Sequence, residues 1–179
     1  MLIETVSASL LASILKKGKL SNLKNIYIRG WYFLLAAGIL QVLLLKISFL
    51  KIYFYPVMIL SYLSILLCLG LNYKSIPMRI VFIGTFLNFT AIALNDGLMP
   101  VSLKGLEFAG YDVLSLTSSR IDTFHCLITE STRLRLLSDI IPIPEPYPFP
   151  QMLSIGDFFI MAGVFLFIME AVKPKNAKA

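Results

Sequence analysis

The stretch IYFYPVMILSYLSILLCLGL, residues 52–71, contains no charged side chain. Roughly 20 consecutive apolar residues are what an α-helix needs to cross the hydrocarbon core of a bilayer, so this stretch reads as a membrane span. Working outward, Ile80–Leu94 is also free of charge, and Pro77, Met78 and Arg79 open its helix. Trp31–Leu50 is interrupted only by Gln41, Lys46 and Ser48, and Leu153–Val172 carries charge only at Asp157 near its start and Glu170 near its end. Leu2–Leu15 is shorter and contains Glu4; it reads as a thin span or, alternatively, as an interfacial helix. The expected architecture is all-α, a polytopic transmembrane helix bundle of four or five spans forming one membrane domain. The spans fall at about 2–15, 31–50, 52–71, 78–95 and 153–172, and residues 96–152 form a structured extracytoplasmic loop.

Composition agrees. Soluble domains carry about 45–50% apolar and about 25% charged residues; this chain of 179 residues has 58% and 15%, with a mean hydropathy of +0.82. That leaves too little polar side chain to cover a water-facing surface. The basic run Lys16-Lys17-Gly18-Lys19 follows the first apolar segment instead of preceding it, which is the reverse of a cleaved signal. The chain is therefore expected to be multispanning from its first residues.

Cytoplasmic loops are enriched in Lys and Arg. Lys16, Lys17, Lys19, Lys24 and Arg29, then Lys74 and Arg79, then Lys173, Lys175 and Lys178 all fall on one side if each long block crosses once. That side is expected to be cytoplasmic, with the C-terminus, and 96–152 to be extracytoplasmic. The net charge of +6 is explained by a basic edge facing anionic lipid, so the bilayer is the expected partner and nucleic acid is not. Cys68 lies in a span and Cys126 in the loop, which gives no disulfide framework. A single histidine gives no multi-histidine metal site and no haem pair, so no metal or cofactor is expected. The spans are nearly free of the ionisable groups that an ion or proton pathway requires.

Polar information is concentrated in the loop and at its borders. Asn95-Asp96-Gly97-Leu98-Met99-Pro100 has the composition of a helix C-cap; Asn95, Asp96 and Met99 are also candidate binding residues. Ile121, Phe124, Ile128, Leu134 and Leu137 recur near the helical period, predicting an amphipathic interfacial helix over 121–137. On such a helix His125, Thr132 and Asp139 share a face. Prolines at 142, 144, 146, 148 and 150 predict an extended, polyproline-like link. Ser154, followed three residues later by Asp157, has the pattern of a capping box. Ser154 and His125 complete the candidate binding set. Asp139 and Asp157 are candidate catalytic residues, because two carboxylates sharing a proton can activate a water.

Two resemblances follow from these pieces. Gly18-Lys19-Leu20-Ser21-Asn22-Leu23, Arg29-Gly30-Trp31, Asn95–Val101, Asp139-Ile140-Ile141-Pro142 and Ser154-Ile155-Gly156-Asp157 together resemble a family of small bacterial membrane proteins known as a domain of unknown function. That resemblance implies the bacterial cytoplasmic membrane and no particular activity. Where the family pattern has a second glycine, this chain has Asp96. The C-terminal third is similar to lipoprotein signal peptidase: Asp139 matches its first aspartate, and Leu153, Ser154, Gly156 and Asp157 its second motif, with Leu for Phe, Ser for Asn and Gly for Ala. The Asn-Arg pair before the first aspartate is absent. Two functions are therefore carried forward. One is a non-catalytic subunit, lipid-binding or assembly module working on its extracytoplasmic side, with a membrane protein or a lipid-linked molecule as partner. The other is an intramembrane-type aspartyl hydrolase using Asp139 and Asp157.

Overall fold

The computed structural model describes residues 2–113 and 120–173; Lys175 and Lys178 of the basic tail lie outside them. In chain order the helices are α1 (Leu2–Leu15), α2 (Trp31–Lys46), α3 (Phe54–Leu71), α4 (Ile76–Ala93), the short α5 (Leu103–Phe108) and α6 (Ile155–Val172). Among the described residues, three segments are long and apolar enough to cross a membrane: Ser48–Leu71, which includes α3 and its lead-in, α4 and α6. α1 and α2 have 14 and 16 residues. At about 1.5 Å per residue they fall short of a ~30 Å hydrocarbon core. The all-α bundle is as expected, then, with three full-length helices and two shorter ones.

Local chemistry sets the helix ends. Pro56 and Pro77 lie in the first turns of α3 and α4, where a missing N–H costs nothing. α2 stops at Lys46, short of the expected Leu50. Ile47 turns extended (φ −110°, ψ 104°), and Ser48–Tyr53 forms a 3-10 turn leading into α3.

The main helix packing runs in the order α1–α6–α4–α3–α2. At one end, the Lys19 N–H donates to Val172 O (2.9 Å) and the Asn22 side chain to Lys173 O (2.8 Å), tying the segment after α1 to the end of α6. At the same end, Asn72 accepts from the Arg29 N–H (3.0 Å) and donates to Arg29 O (2.8 Å), joining the end of α3 to the approach to α2. Gln41 donates to Ser61 Oγ (2.8 Å), a polar tie between α2 and α3.

The opposite end carries a small cap. Strand β1 (Met99–Val101) pairs in parallel with β2 (His125–Leu127), and β3 (Ile141–Ile143) pairs antiparallel with β4 (Gln151–Leu153). Asp139 lies on the other edge of β1: its N–H donates to Pro100 O (2.9 Å), and its carbonyl accepts from the Ser102 N–H (3.0 Å). Beneath the cap, Leu44, Phe54, Met58, Ala91, Ile92 and Met99 form a buried cluster against which Phe124 and Leu137 pack.

Two expectations for this region are corrected. Residues 121–137 are not a helix. The Asp122 carboxylate accepts the N–H groups of Phe124 (2.7 Å) and His125 (2.9 Å), which turns the chain into β2. A second turn follows where Thr132 Oγ1 accepts the Thr129 N–H (2.8 Å), and Leu134 is left-handed at φ 51°. The helical face expected for His125, Thr132 and Asp139 therefore does not exist. The proline-rich link is not a free polyproline run either: Ile141 and Ile143 pair with Leu153 and Gln151, and Pro142 faces Met152. Proline suits this two-stranded sheet because its missing N–H can be on the outer edge.

Asn95–Pro100 does end α4, as expected. The Gly97 N–H donates to Ile92 O (3.0 Å), and Asp96 and Gly97 are both left-handed, at φ 55° and 80°. The second glycine in the resembling pattern thus falls on a backbone conformation that glycine favours and aspartate tolerates.

Candidate functional site

The site is built from the tightest packing in the bundle. Gly84 and Gly156 let α4 and α6 approach so closely that a Cβ on Gly156 would lie 2.6 Å from the Gly84 carbonyl oxygen and would collide with Asn88. That approach brings Asn88, one turn beyond Gly84 on α4, against the N-terminus of α6. Ser154 and Asp157 form the expected capping box: Ser154 Oγ accepts the Asp157 N–H (3.1 Å), and Asp157 Oδ2 accepts the Ser154 N–H (2.9 Å). Asn88 completes the network, donating to Asp157 Oδ1 (3.0 Å) while its own oxygen accepts from Ser154 Oγ (2.8 Å). Both carboxylate oxygens of Asp157 are thus engaged by N–H donors.

Asp157 lines a cavity of about 320 Å³ between the helices and the cap, and Asp139 lines the same cavity. The lining also includes Gln41, Tyr62, Asn88, Phe124, His125 and Gln151, and among the described residues it contains no Lys or Arg. A second chamber of about 250 Å³, lined partly by Leu106, Tyr111 and Asp122, shares Asp139, His125, Gln151 and Met152 as walls.

Asp139 is 7% exposed. Its closest ionic neighbour is His125, with Nε2 3.8 Å from Oδ2, too long for a hydrogen bond. Burial, and after it the negative charge of Asp157, push the Asp139 carboxyl up from 3.8 to about 8; the distant imidazole does not offset them. The other ring nitrogen, His125 Nδ1, lies 2.9 Å from Asp122 Oδ2. Burial raises the Asp122 carboxyl, but the Phe124 N–H and the charge of His125 outweigh it and leave the group below its usual range. Asp122, His125 and Asp139 thus form a line from the half-exposed cap surface into the cavity.

The sequence candidates divide into two places. Met99, His125, Asp139 and Asp157 line the shared cavity, and Ser154 is buried beside it. Asn95 and Asp96 line a separate surface cleft of about 660 Å³ with Cys126 and Arg133. There Asn95 grips the Arg133 backbone, accepting its N–H (2.9 Å) and donating to its carbonyl (3.0 Å). Sequence reasoning missed Asn88, Gln41, Tyr62 and Asp122. Asn88 had a signal: it is the only amide side chain in the charge-free run 80–94, where an unpaired polar group would be costly.

A helical chain with three segments able to cross a membrane, and an acidic cavity under a small strand-built cap, defines the class. The chain belongs to the family of unknown function DUF5317, whose model matches residues 21–169. It is similar to a Thermotoga maritima protein described as "Uncharacterized protein", at 29% identity over 176 residues, covering 98% of this chain and 93% of that one. No solved structure matches. The similarity to lipoprotein signal peptidase gains no support from these matches.

Proposed function

We propose that the protein is a multi-pass protein of the bacterial cytoplasmic membrane that binds its ligand without transforming it, through the cavity beneath the extracytoplasmic cap. The observation that carries this reading is the state of Asp157. Both of its oxygens accept N–H donors, from the Ser154 backbone and from Asn88, so it is committed to capping the N-terminus of α6 and joining it to α4. A cavity of about 320 Å³ is at the small end of the range for ligand pockets. The test is Asp157→Asn. Loss of the cap is expected to cost on the order of 1 kcal/mol, read as a lower melting temperature in detergent. A catalytic Asp157 would instead leave melting unchanged and abolish turnover.

The second reading, an aspartyl hydrolase using Asp139 and Asp157, is favoured by one observation: both carboxylates line one cavity. It requires a water between them that both can reach, and Asp157 would have to release an N–H donor to take part.

Orientation is tested separately. In a Cys68→Ala, Cys126→Ala background, Glu130→Cys in the cap is expected to react with a membrane-impermeant maleimide on intact spheroplasts. Tyr27→Cys, which is 81% exposed at the other end, should react only after permeabilisation. The reverse pattern would invert the topology.

A further inference from the structure

We propose that the cavity beneath the cap recognises a primary ammonium group, presented by an amine-headgroup lipid or by a small free amine; this rests on the reading of the protein as a binding module. Two carboxylates line the cavity with no Lys or Arg among the described residues to balance them; Asp139 is otherwise balanced by its own proton, and a cationic ligand can take that proton's place. Asp139 is more than nine-tenths buried and lines this space. Its nearest charged neighbour is 3.8 Å away, and no hydrogen bond reaches its carboxylate among the described residues. Burying the ionised form without a partner is costly, so the group keeps its proton until a cationic ligand replaces it.

The donors already in place narrow the cation. Ca²⁺ and Mg²⁺ take about six or more oxygen ligands, and Zn²⁺ about four His, Cys or carboxylate ligands. Here both Asp157 oxygens are occupied by N–H donors, and no metal-holding group of three or more His, Cys, Asp or Glu occurs among the described residues. A quaternary ammonium carries no N–H and would leave Asp139 unsatisfied. A primary ammonium brings three N–H donors. Asp139 offers carboxylate oxygens. In its neutral tautomer with Nδ1–H toward Asp122, His125 presents an Nε2 lone pair on the side facing Asp139. The Asp157 charge adds attraction without direct coordination, and the Tyr62 and Phe124 rings in the wall suit a cation. The volume of about 320 Å³ holds an ethanolamine-sized group and leaves acyl chains outside.

The full chain is reconstituted in bilayers of equal parts phosphatidylethanolamine and phosphatidylcholine, extracted, and its retained lipid read by native mass spectrometry. Phosphatidylethanolamine is expected to be retained about tenfold over phosphatidylcholine, as one charge-assisted hydrogen-bond set provides. The preference should fall stepwise through the mono- and dimethylated headgroups, a series that uses only the wild-type chain. Asp139→Asn should abolish it, with folding checked by gel filtration, and Glu130→Gln on the cap surface should leave it intact. If free ethanolamine raises the melting temperature by itself, the amine alone is the ligand; if only the lipid does so, the headgroup is. Equal retention of the two lipids, with no response to ethanolamine, overturns the proposal. Headgroup release from phosphatidylethanolamine would overturn the non-catalytic reading while leaving ammonium recognition standing. Intact lipid without preference would overturn recognition alone.

Discussion

Asp139→Asn is expected to remove most of the pH dependence of stability between about pH 4 and pH 8. In the folded chain the Asp139 carboxyl is raised from 3.8 to about 8, by burial first and then by Asp157. Below pH 4 the group is protonated in both the folded and unfolded chain and contributes nothing unfavourable. As the pH rises through this window the unfolded chain releases the proton while the folded chain holds it, so the unfolded state is favoured progressively. The wild-type protein should therefore become less stable from pH 5 to pH 8.5. The upper bound on the loss is on the order of 5 kcal/mol. An asparagine cannot ionise, so the variant should melt at nearly the same temperature across the window and above the wild type at pH 8.5. Asp157 on α6, His125 on β2 and Tyr62 on α3 also line the cavity, and Asp122 reaches it through His125. His125 is the nearest ionisable neighbour of Asp139, so the comparison is repeated in a His125→Gln background. An unchanged slope in Asp139→Asn, in both backgrounds, would show that Asp139 is not the group responsible.

That group was visible in the sequence, but its setting was not. Charge-free runs reveal long apolar helices directly, because only length and polarity are needed to recognise them. The Ser154–Asp157 cap was also legible, since its partners are three residues apart and the bonds are local. The spacing of Ile121 through Leu137 misled because hydrophobic period says nothing about side chains that compete for the backbone. Asp122 and Thr132 take N–H groups that a helix would use, and the chain turns twice instead. His125 and Asp139 meet as flanks of β1, one paired with Met99 and the other bridged to Val101, a relation between three segments that no local pattern encodes. Asn88 belongs to the site for the same reason: its partners are on α6, and only the approach of two helices brings them within reach.

Gly156→Leu is expected to prevent α4 and α6 from docking, and Gly156→Ala to lower stability by about 1–3 kcal/mol, the usual cost of overpacking. A Cβ at position 156 would meet the Gly84 carbonyl at 2.6 Å and the Asn88 side chain. The first is backbone and cannot rotate away. The second is held by Ser154 and Asp157 and can yield only by breaking the network that places Asp157. The contact continues along the same helix face. A Cβ on Gly84 would lie 2.8 Å from the Ile160 nitrogen, and one on Gly163 2.8 Å from the Pro77 carbonyl. Small residues at such spacings let helix backbones approach where lipid supplies no hydrophobic drive for association. Gly38 on α2 has nothing within 4 Å, and there alanine should leave stability unchanged or raise it by up to about 1 kcal/mol, through helix propensity alone. Melting curves of the two alanine variants, measured in the same detergent, separate a packing requirement from a general cost of replacing glycine. A loss at position 156 with none at position 38 assigns the effect to the α4–α6 contact. Equal losses at both would mean that the close approach of these helices does not hold the site together.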